Sequence, residues 1–242
     1  MGLIVVLAVG LIAGIFSGIV GTGSAIMLVP ILASIYGPKA AVPIMAVASV
    51  MANLSRILVW WRDVDWRAVA AYSVTGVPAA FLGARTLLIL PSRAVDVAIG
   101  TFLLAMIPGR RWLAQRMLRL DLRHLAVAGA VIGFVTGIVV TSGPISVPVF
   151  LGYGLVKGAF LATEAAGSLA IYLTKTLTFG AGGALPWDDF IKGLIAGSSL
   201  MVGAFIAKPF VLRLAPETFR HVMDALMLVS GATMLWNAAF AH

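Results

Sequence analysis

Two cations lie well inside apolar stretches of this 242-residue chain: Arg56 in a run from about 40 to 60 and Lys175 in one from about 158 to 184. A charge near the centre of a bilayer costs about 2.5–3.5 kcal/mol even on the mildest scale, so such residues need a reason to be there. The two stand 119 positions apart, and each can bring positive charge to one shared central site. For Arg56 the other reading is snorkelling, because an interface is only a turn or so away; Lys175 lies further from its nearer end. Asn53 precedes Arg56 by three residues on the same helical face, and Tyr172 and Thr174 flank Lys175, so each cation has further donors beside it. Glu164, about two turns into its run, is the one acid well inside a span. It is either a proton carrier for coupled transport or an ion partner for Lys157, seven residues earlier, and the nearby interfacial cation favours the partner reading.

A second set of polar groups sits at the middle of two other apolar stretches. Gly21-Thr22-Gly23-Ser24 interrupts the run that begins the chain, and Thr141-Ser142-Gly143 interrupts the run from about 125 to 156. Each predicts a broken helix whose second limb starts near Ser24 or Gly143, with Pro144 able to open that limb at no hydrogen-bonding cost. Such N-termini present loose N–H groups and the positive end of a helix dipole, which suit an anion. Glycine lets backbone approach a ligand, and Thr22, Ser24, Thr141 and Ser142 add hydroxyl donors. The more peripheral Gly14, Gly18, Gly133 and Gly137 read as close helix packing.

The elements that must position these groups follow from composition. The chain is 61% hydrophobic and 11% charged, with net charge +8, 26 glycines and no cysteine, whereas soluble chains average about 45–50% apolar and about 25% charged. The solvent for most of it is lipid. The basic excess is confined to loops and orients a membrane protein, so nucleic acid is set aside. Disulfides, thiolate metal sites and cysteine chemistry are excluded; no metal or nucleotide motif appears, and the three histidines make no catalytic constellation. The chain is not expected to be an enzyme or to hold a cofactor. No cleavable signal is evident. Apolar runs fall at about 3 to 36, 40 to 60, 67 to 88, 94 to 108, 125 to 156, 158 to 184, 187 to 207 and 217 to 240, against about 20 residues for one crossing. Trp60, Trp61, Trp66 and Trp187 fall at their ends as an interfacial belt.

The two interrupted stretches match at the same offset of 119, Gly14 on Gly133 and Gly18 on Gly137, and weaker matches continue through Arg56 on Lys175 and Gly83 near Gly203. A colinear series argues for a duplicated unit. If each interrupted stretch crossed once, the basic residues outside the membrane would divide evenly. If each dips in and returns, Arg62, Arg67, Arg110, Arg111, Arg116, Arg119, Arg123, Lys157, Lys208, Arg213 and Arg220 share one face, against Lys39, Arg85, Arg93 and Lys192 on the other, as the positive-inside rule demands. The expected fold is therefore an all-α polytopic membrane protein of two inverted repeats, each a broken-helix hairpin plus three transmembrane helices. The repeats cover 1–108 and 125–242, a basic cytoplasmic linker covers 109–124, and both termini lie outside the cytoplasm.

The duplicated GxxxGxxGxGS-type stretch, its weaker copy in the second half, the repeat length and the basic centre resemble the TauE/SafE family of sulfite and organosulfonate exporters over essentially the whole chain. The family pattern carries a third glycine where Ser24 stands and a glycine at Val140. The resemblance implies outward movement of small sulfur-containing anions across the inner membrane. A related group of thiosulfate importers uses cysteines along its path, a mechanism closed to this chain. The expectation is a secondary carrier binding sulfite, sulfoacetate or another sulfonate by alternating access at Gly21, Thr22, Gly23, Ser24, Asn53, Arg56, Thr141, Ser142, Gly143, Tyr172 and Lys175, with Glu164 available for coupling. The partners expected are that anion, lipid and, compatibly, further copies of the chain. A passive anion channel, a carrier of another small organic anion and a non-transporting scaffold are the rivals, separable by flux and by ligand-induced thermal shift.

Overall fold

A computed structural model describes residues 2–115, 119–139, 143–209 and five helical positions near the C-terminus: 228, 232, 235, 236 and 239. The described residues are all-α, and the apolar runs become nine helices: α1 Gly2–Val20, α2 Ser24–Tyr36, α3 Pro38–Val59, α4 Trp66–Ile89, α5 Ser92–Gln115, α6 Leu122–Ile138, α7 Gly143–Gly152, α8 Lys157–Ala181 and α9 Trp187–Ala207. A short 3₁₀ turn, Trp61–Asp63, precedes α4. Four of these helices, α1, α3, α4 and α9, are long and apolar enough to cross a membrane. α5 runs past the expected end of its run, through Pro108 and into the basic segment as far as Gln115. One proline removes one intrahelical bond, and the residues beyond it include good helix formers that continue the helix into the polar region.

Both long apolar stretches break where glycine and small polar residues stand. Gly21 and Gly23 adopt φ of 86° and 112°, a left-handed conformation that costs a side-chain-bearing residue about 1–2 kcal/mol. The chain stops α1, turns, and starts α2 at Ser24. The second stretch stops at Ile138 and restarts at Gly143. Each pair then folds back on itself. Gly2, at the start of α1, lies 3.4 Å from the Ile35 side chain when its missing β-carbon is built. The Leu120 N–H, just before α6, donates to the Gly152 carbonyl at the end of α7 at 3.0 Å. Two helical hairpins result, and their second limbs, about 20 and about 15 Å long at 1.5 Å per residue, are too short to span a core about 30 Å thick.

The hairpins open at different ends of the molecule. Beside the base of the α6–α7 hairpin, the Asp65 N–H donates to Thr163 Oγ1 at 2.9 Å, Tyr153 OH donates to Asp65 at 3.4 Å, and Lys208 Nζ sits 5.5 Å from the centre of the Trp60 ring. Arg62, Arg67, Arg119, Arg123, Lys157 and Lys208 all belong to the segments gathered there. The Asp121 carboxylate caps α6 by accepting from the backbone of Arg123 and His124; these bonds, with the His124 ring, hold its pKa below the usual carboxylate range. At the base of the α1–α2 hairpin, Lys192 reaches Asp189 at 2.6 Å and lies over Tyr36.

Bare glycine surfaces bring the hairpins against their neighbours. α6 packs along α4 and α1 along α9, while α3 and α8 cross between them. A β-carbon on Gly133 would come within 2.8 Å of Gly76 Cα, and one on Gly14 within 2.8 Å of Leu200 Cα. The packing reading of Gly14, Gly18, Gly133 and Gly137 is what the helices use. Two apolar cores follow: one joins α1, α2 and α3 to α9 and to parts of α4, α5 and α8, and the other joins α4, α6, α7 and α8.

Candidate functional site

The tips of the two hairpins meet. A β-carbon on Gly143 would overlap the Thr22 hydroxyl, so residues 121 positions apart in sequence touch at the point where both helices are broken. A cavity of about 20 Å³ opens beside this contact, lined by Ser17, Gly21, Thr22, Gly23, Ser24, Ala25, Ser49, Ala52, Asn53, Arg56, Gly143, Glu164, Ser168 and Tyr172. That volume holds about one water molecule. No side chain caps the start of α2, whose first residues, Ser24 and Ala25, face the cavity.

Arg56 comes from the last turn of α3 but turns inward, not toward the interface. It is 6% exposed. Its Nη1 donates to the Gly21 carbonyl at the end of α1 and, at 3.0 Å, to Glu164 of α8; its Nη2 donates to Asn53 Oδ1. Its Nε is buried and has no hydrogen-bond partner among the described residues. Asn53 is itself fixed by donating to the Ser49 carbonyl at 2.8 Å.

Glu164 pairs with Arg56, not with Lys157. It is 2% exposed, and its second oxygen accepts from Ser146 Oγ at 2.9 Å and Ser168 Oγ at 2.8 Å. The carboxylate therefore joins α3, α7 and α8 at the hairpin tips. Spacing within α8 pointed to Lys157; the actual partner is 108 residues away in sequence, a contact that helical periodicity does not encode.

Of the residues singled out from sequence, Gly21, Thr22, Gly23, Ser24, Asn53, Arg56, Gly143, Glu164 and Tyr172 line the one cavity. Thr141 and Ser142 lie outside the described residues. Lys175 does not line it. Its Nζ donates to the carbonyls of Thr136 and Val139 at 2.6 and 2.8 Å, at the end of α6, and sits 5.5 Å from the centre of the Phe179 ring. It satisfies the loose carbonyls and the negative end of that helix dipole.

Sequence reasoning passed over Ser17, Ser49, Ser146 and Ser168. A signal for two of them was present: Ser49 and Ser168 are 119 apart, and Ser49, Asn53 and Arg56 have the same i, i+4, i+7 spacing as Ser168, Tyr172 and Lys175.

The arrangement gathers a buried guanidinium, a carboxylate and several hydroxyls at the junction of the two broken helices. Comparison with known proteins agrees with a transport role. The family model described as "Sulfite exporter TauE/SafE" matches residues 6–234. The chain is 30% identical over 193 residues to the "Probable membrane transporter protein y4hK" of Sinorhizobium fredii (strain NBRC 101917 / NGR234), covering 72% of this chain and 73% of that one. No solved structure matches.

Proposed function

The chain belongs to the TauE/SafE family of multi-pass membrane transporters, and from that premise we propose that it carries a small sulfur-containing oxyanion, sulfite or an organosulfonate, outward across the inner membrane. The substrate site is the cavity between the hairpin tips. The observation that carries this reading is Arg56: a buried guanidinium with an unpartnered Nε–H, at the junction of two broken helices. A sulfonate group presents three acceptor oxygens, and a guanidinium fork binds such a planar face of oxygens in bidentate fashion. The hydroxyls of Thr22 and Ser24, which line the same cavity, are the remaining side-chain donors.

The two halves act as inverted repeats. Support comes from the packing, in which α1 on α9 corresponds to α6 on α4, and from hairpins that open at different ends. Alternating exposure follows if one half rocks against the other around the hairpin tips, a recurring behaviour of carriers with broken helices at mid-membrane. The end that gathers Arg62, Arg67, Arg119, Arg123, Lys157 and Lys208 is the cytoplasmic one by the positive-inside rule, which puts the N-terminus on the other side. With room for only about one water, the present conformation is closed around the site.

The test is sulfonate flux into proteoliposomes carrying the purified protein. Saturable uptake that is accelerated by unlabelled sulfonate on the opposite side is the expected outcome. Non-saturating flux without such exchange discards the carrier and leaves a channel.

A further inference from the structure

The charge balance at the cavity limits what can enter it. Arg56 is the one cation lining the cavity among the described residues, and Glu164 already neutralises it at 3.0 Å, with both side chains buried. An oxyanion added to this pair would set two negative groups against one guanidinium out of water, and two like charges in one buried site do not both stay ionised. Resting on the cavity as the substrate site, we propose that Glu164 is a resident anion that occupies Arg56 in the empty carrier, and that a substrate oxyanion binds only together with a proton on Glu164.

The step balances. One oxyanion and one proton enter from the same side; the proton forms an O–H bond on a Glu164 oxygen, the Arg56–Glu164 ion pair opens, and an Arg56–substrate pair replaces it. The site's net charge is unchanged, so the loaded and empty carriers cross the membrane with the same charge. Release on the other side reverses each step, and one proton accompanies each monoanion.

The surroundings of Glu164 accommodate both states. Ser146 and Ser168 donate to the carboxylate as it stands, and a serine hydroxyl can equally accept, so a protonated Glu164 keeps a partner by donating to either. The Nη1–H released from Glu164 becomes the donor to the substrate. The other groups facing it do not substitute for Arg56. Tyr72 of α4 lies within electrostatic reach of Glu164, as Tyr172 on its own helix does of Tyr72. Asp65 is taken up in capping α4, and Asp63 of the 3₁₀ turn packs against Gly158 near the start of α8. Lys157 opens α8 almost two turns away, and Lys175 is bound by α6 carbonyls. α7 carries no titratable side chain, α6 only Arg123 and His124 in its first turn, α2 only Tyr36 at its far end, and α1 none.

An alkanesulfonate such as ethanesulfonate is the right probe, because it stays ionised where sulfite itself titrates. Calorimetric titration of the purified full chain should give a dissociation constant that rises by about tenfold per pH unit once Glu164 ionises, the slope of one linked proton. Glu164→Gln, permanently neutral, should bind with little pH dependence and at least as tightly as the wild type at its acidic limit. Proteoliposomes of wild-type protein with a lumenal pH dye should show one proton moving with each ethanesulfonate, a readout that stands even if the variant does not fold. Sulfonate binding with a flat pH profile and flux without proton movement would overturn the coupling and leave the substrate site intact. Absence of saturable sulfonate binding at every pH, in wild type and variant alike, would overturn the substrate site and this coupling together.

Discussion

Arg56 and Lys175 hold matching positions in the two halves of the chain, and both serve the same local need. Each reaches back to the loose carbonyls where the first limb of its own hairpin ends: Gly21 for Arg56, Thr136 and Val139 for Lys175. A helix broken at membrane depth leaves such carbonyls without water, and a buried cation satisfies them. There the likeness stops. In the second half Glu164 lies eleven residues before Lys175; at the matching place before Arg56 the first half has Met45. The carboxylate that the second half supplies crosses to the first half's cation, and among the described residues no acid is paired with Lys175. The geometry of the heads differs too, since the arginine fork serves a carbonyl, an amide and a carboxylate and still keeps a spare N–H. Duplication thus preserved a cap for a broken helix in both halves, while only the first half's cation reaches the cavity, where the second half contributes the carboxylate.

Stability should separate the two cations most sharply. Glu164→Ala leaves a buried guanidinium that cannot shed its proton, and breaking a buried pair from one side costs about 3–5 kcal/mol. Arg56→Ala should cost less, because the stranded Glu164 can protonate in place. Lys175→Met strands only two backbone carbonyls, at about 1–3 kcal/mol for the unsatisfied groups. Unfolding in detergent, followed by circular dichroism, should rank the variants in that order. Equal losses in Glu164→Ala and Lys175→Met would break the contrast between a paired charge and a capping one.

Binding gives the next largest difference. Arg56→Ala should weaken ethanesulfonate by about 100-fold or more, equivalent to about 2.7 kcal/mol, while Lys175→Met stays within about threefold of wild type. A comparable loss in Lys175→Met would restore the symmetric site in which both cations face the substrate, as the sequence spacing suggested.

That last point marks where the sequence stops being legible. The breaks at Ser24 and Gly143 could be read because helix interruption has a local cause: glycines able to adopt left-handed backbone, and small polar residues in an otherwise apolar run. The glycine packing surfaces could be read for the same reason, since their spacing lies along one helix. The cavity lining was half visible through the offset of 119, which links Ser49 and Ser168 as well as the two cations. The Arg56–Glu164 pair was not visible. It joins α3 to α8 across 108 residues, and nothing in either helix's period says which faces will cross. Lys175 misled for a related reason: matching positions implied matching surroundings, but the acid that distinguishes them stands elsewhere.

The hairpin tips offer a smaller and more local contrast. Gly143 and Gly37 both stand at the start of a helix, the first against Thr22 and the second in open space with φ of 82°. Alanine at Gly143 must push the two tips apart, at about 1–3 kcal/mol for overpacking, and it should slow sulfonate exchange as well as lower the melting temperature. Alanine at Gly37 meets no atom within 4 Å and carries only the backbone penalty of a conformation that essentially glycine alone adopts, with φ of 82° and ψ of 155°, about 1–3 kcal/mol, with exchange per folded molecule left as it was. Flux normalised to folded protein is the measurement that tells them apart. If Gly37→Ala slowed exchange as much as Gly143→Ala, contact between the tips would not be the feature that matters for transport, and the turn joining α2 to α3 would have to move during the cycle.

The smallest effect is expected at the basic end, where Asp121 caps α6 in the open, away from the buried pair. Its folded-state pKa is lowered by bonds from His124 and Arg123, so its contribution is fully present above the ordinary carboxylate range and fades as pH falls through the lowered value. Asp121→Ala should therefore reduce the melting temperature slightly at neutral pH, and the gap to wild type should close on acidification. Glu164→Ala responds to a different change. Its buried guanidinium has no counter-charge at any pH, so its stability should recover when ethanesulfonate is added, as expected for a ligand that binds only the folded state. A deficit in Asp121→Ala that sulfonate also repaired would mean that the exposed cap and the buried pair respond to the same anion, and the separation between the polar end of the molecule and its mid-membrane site would fail.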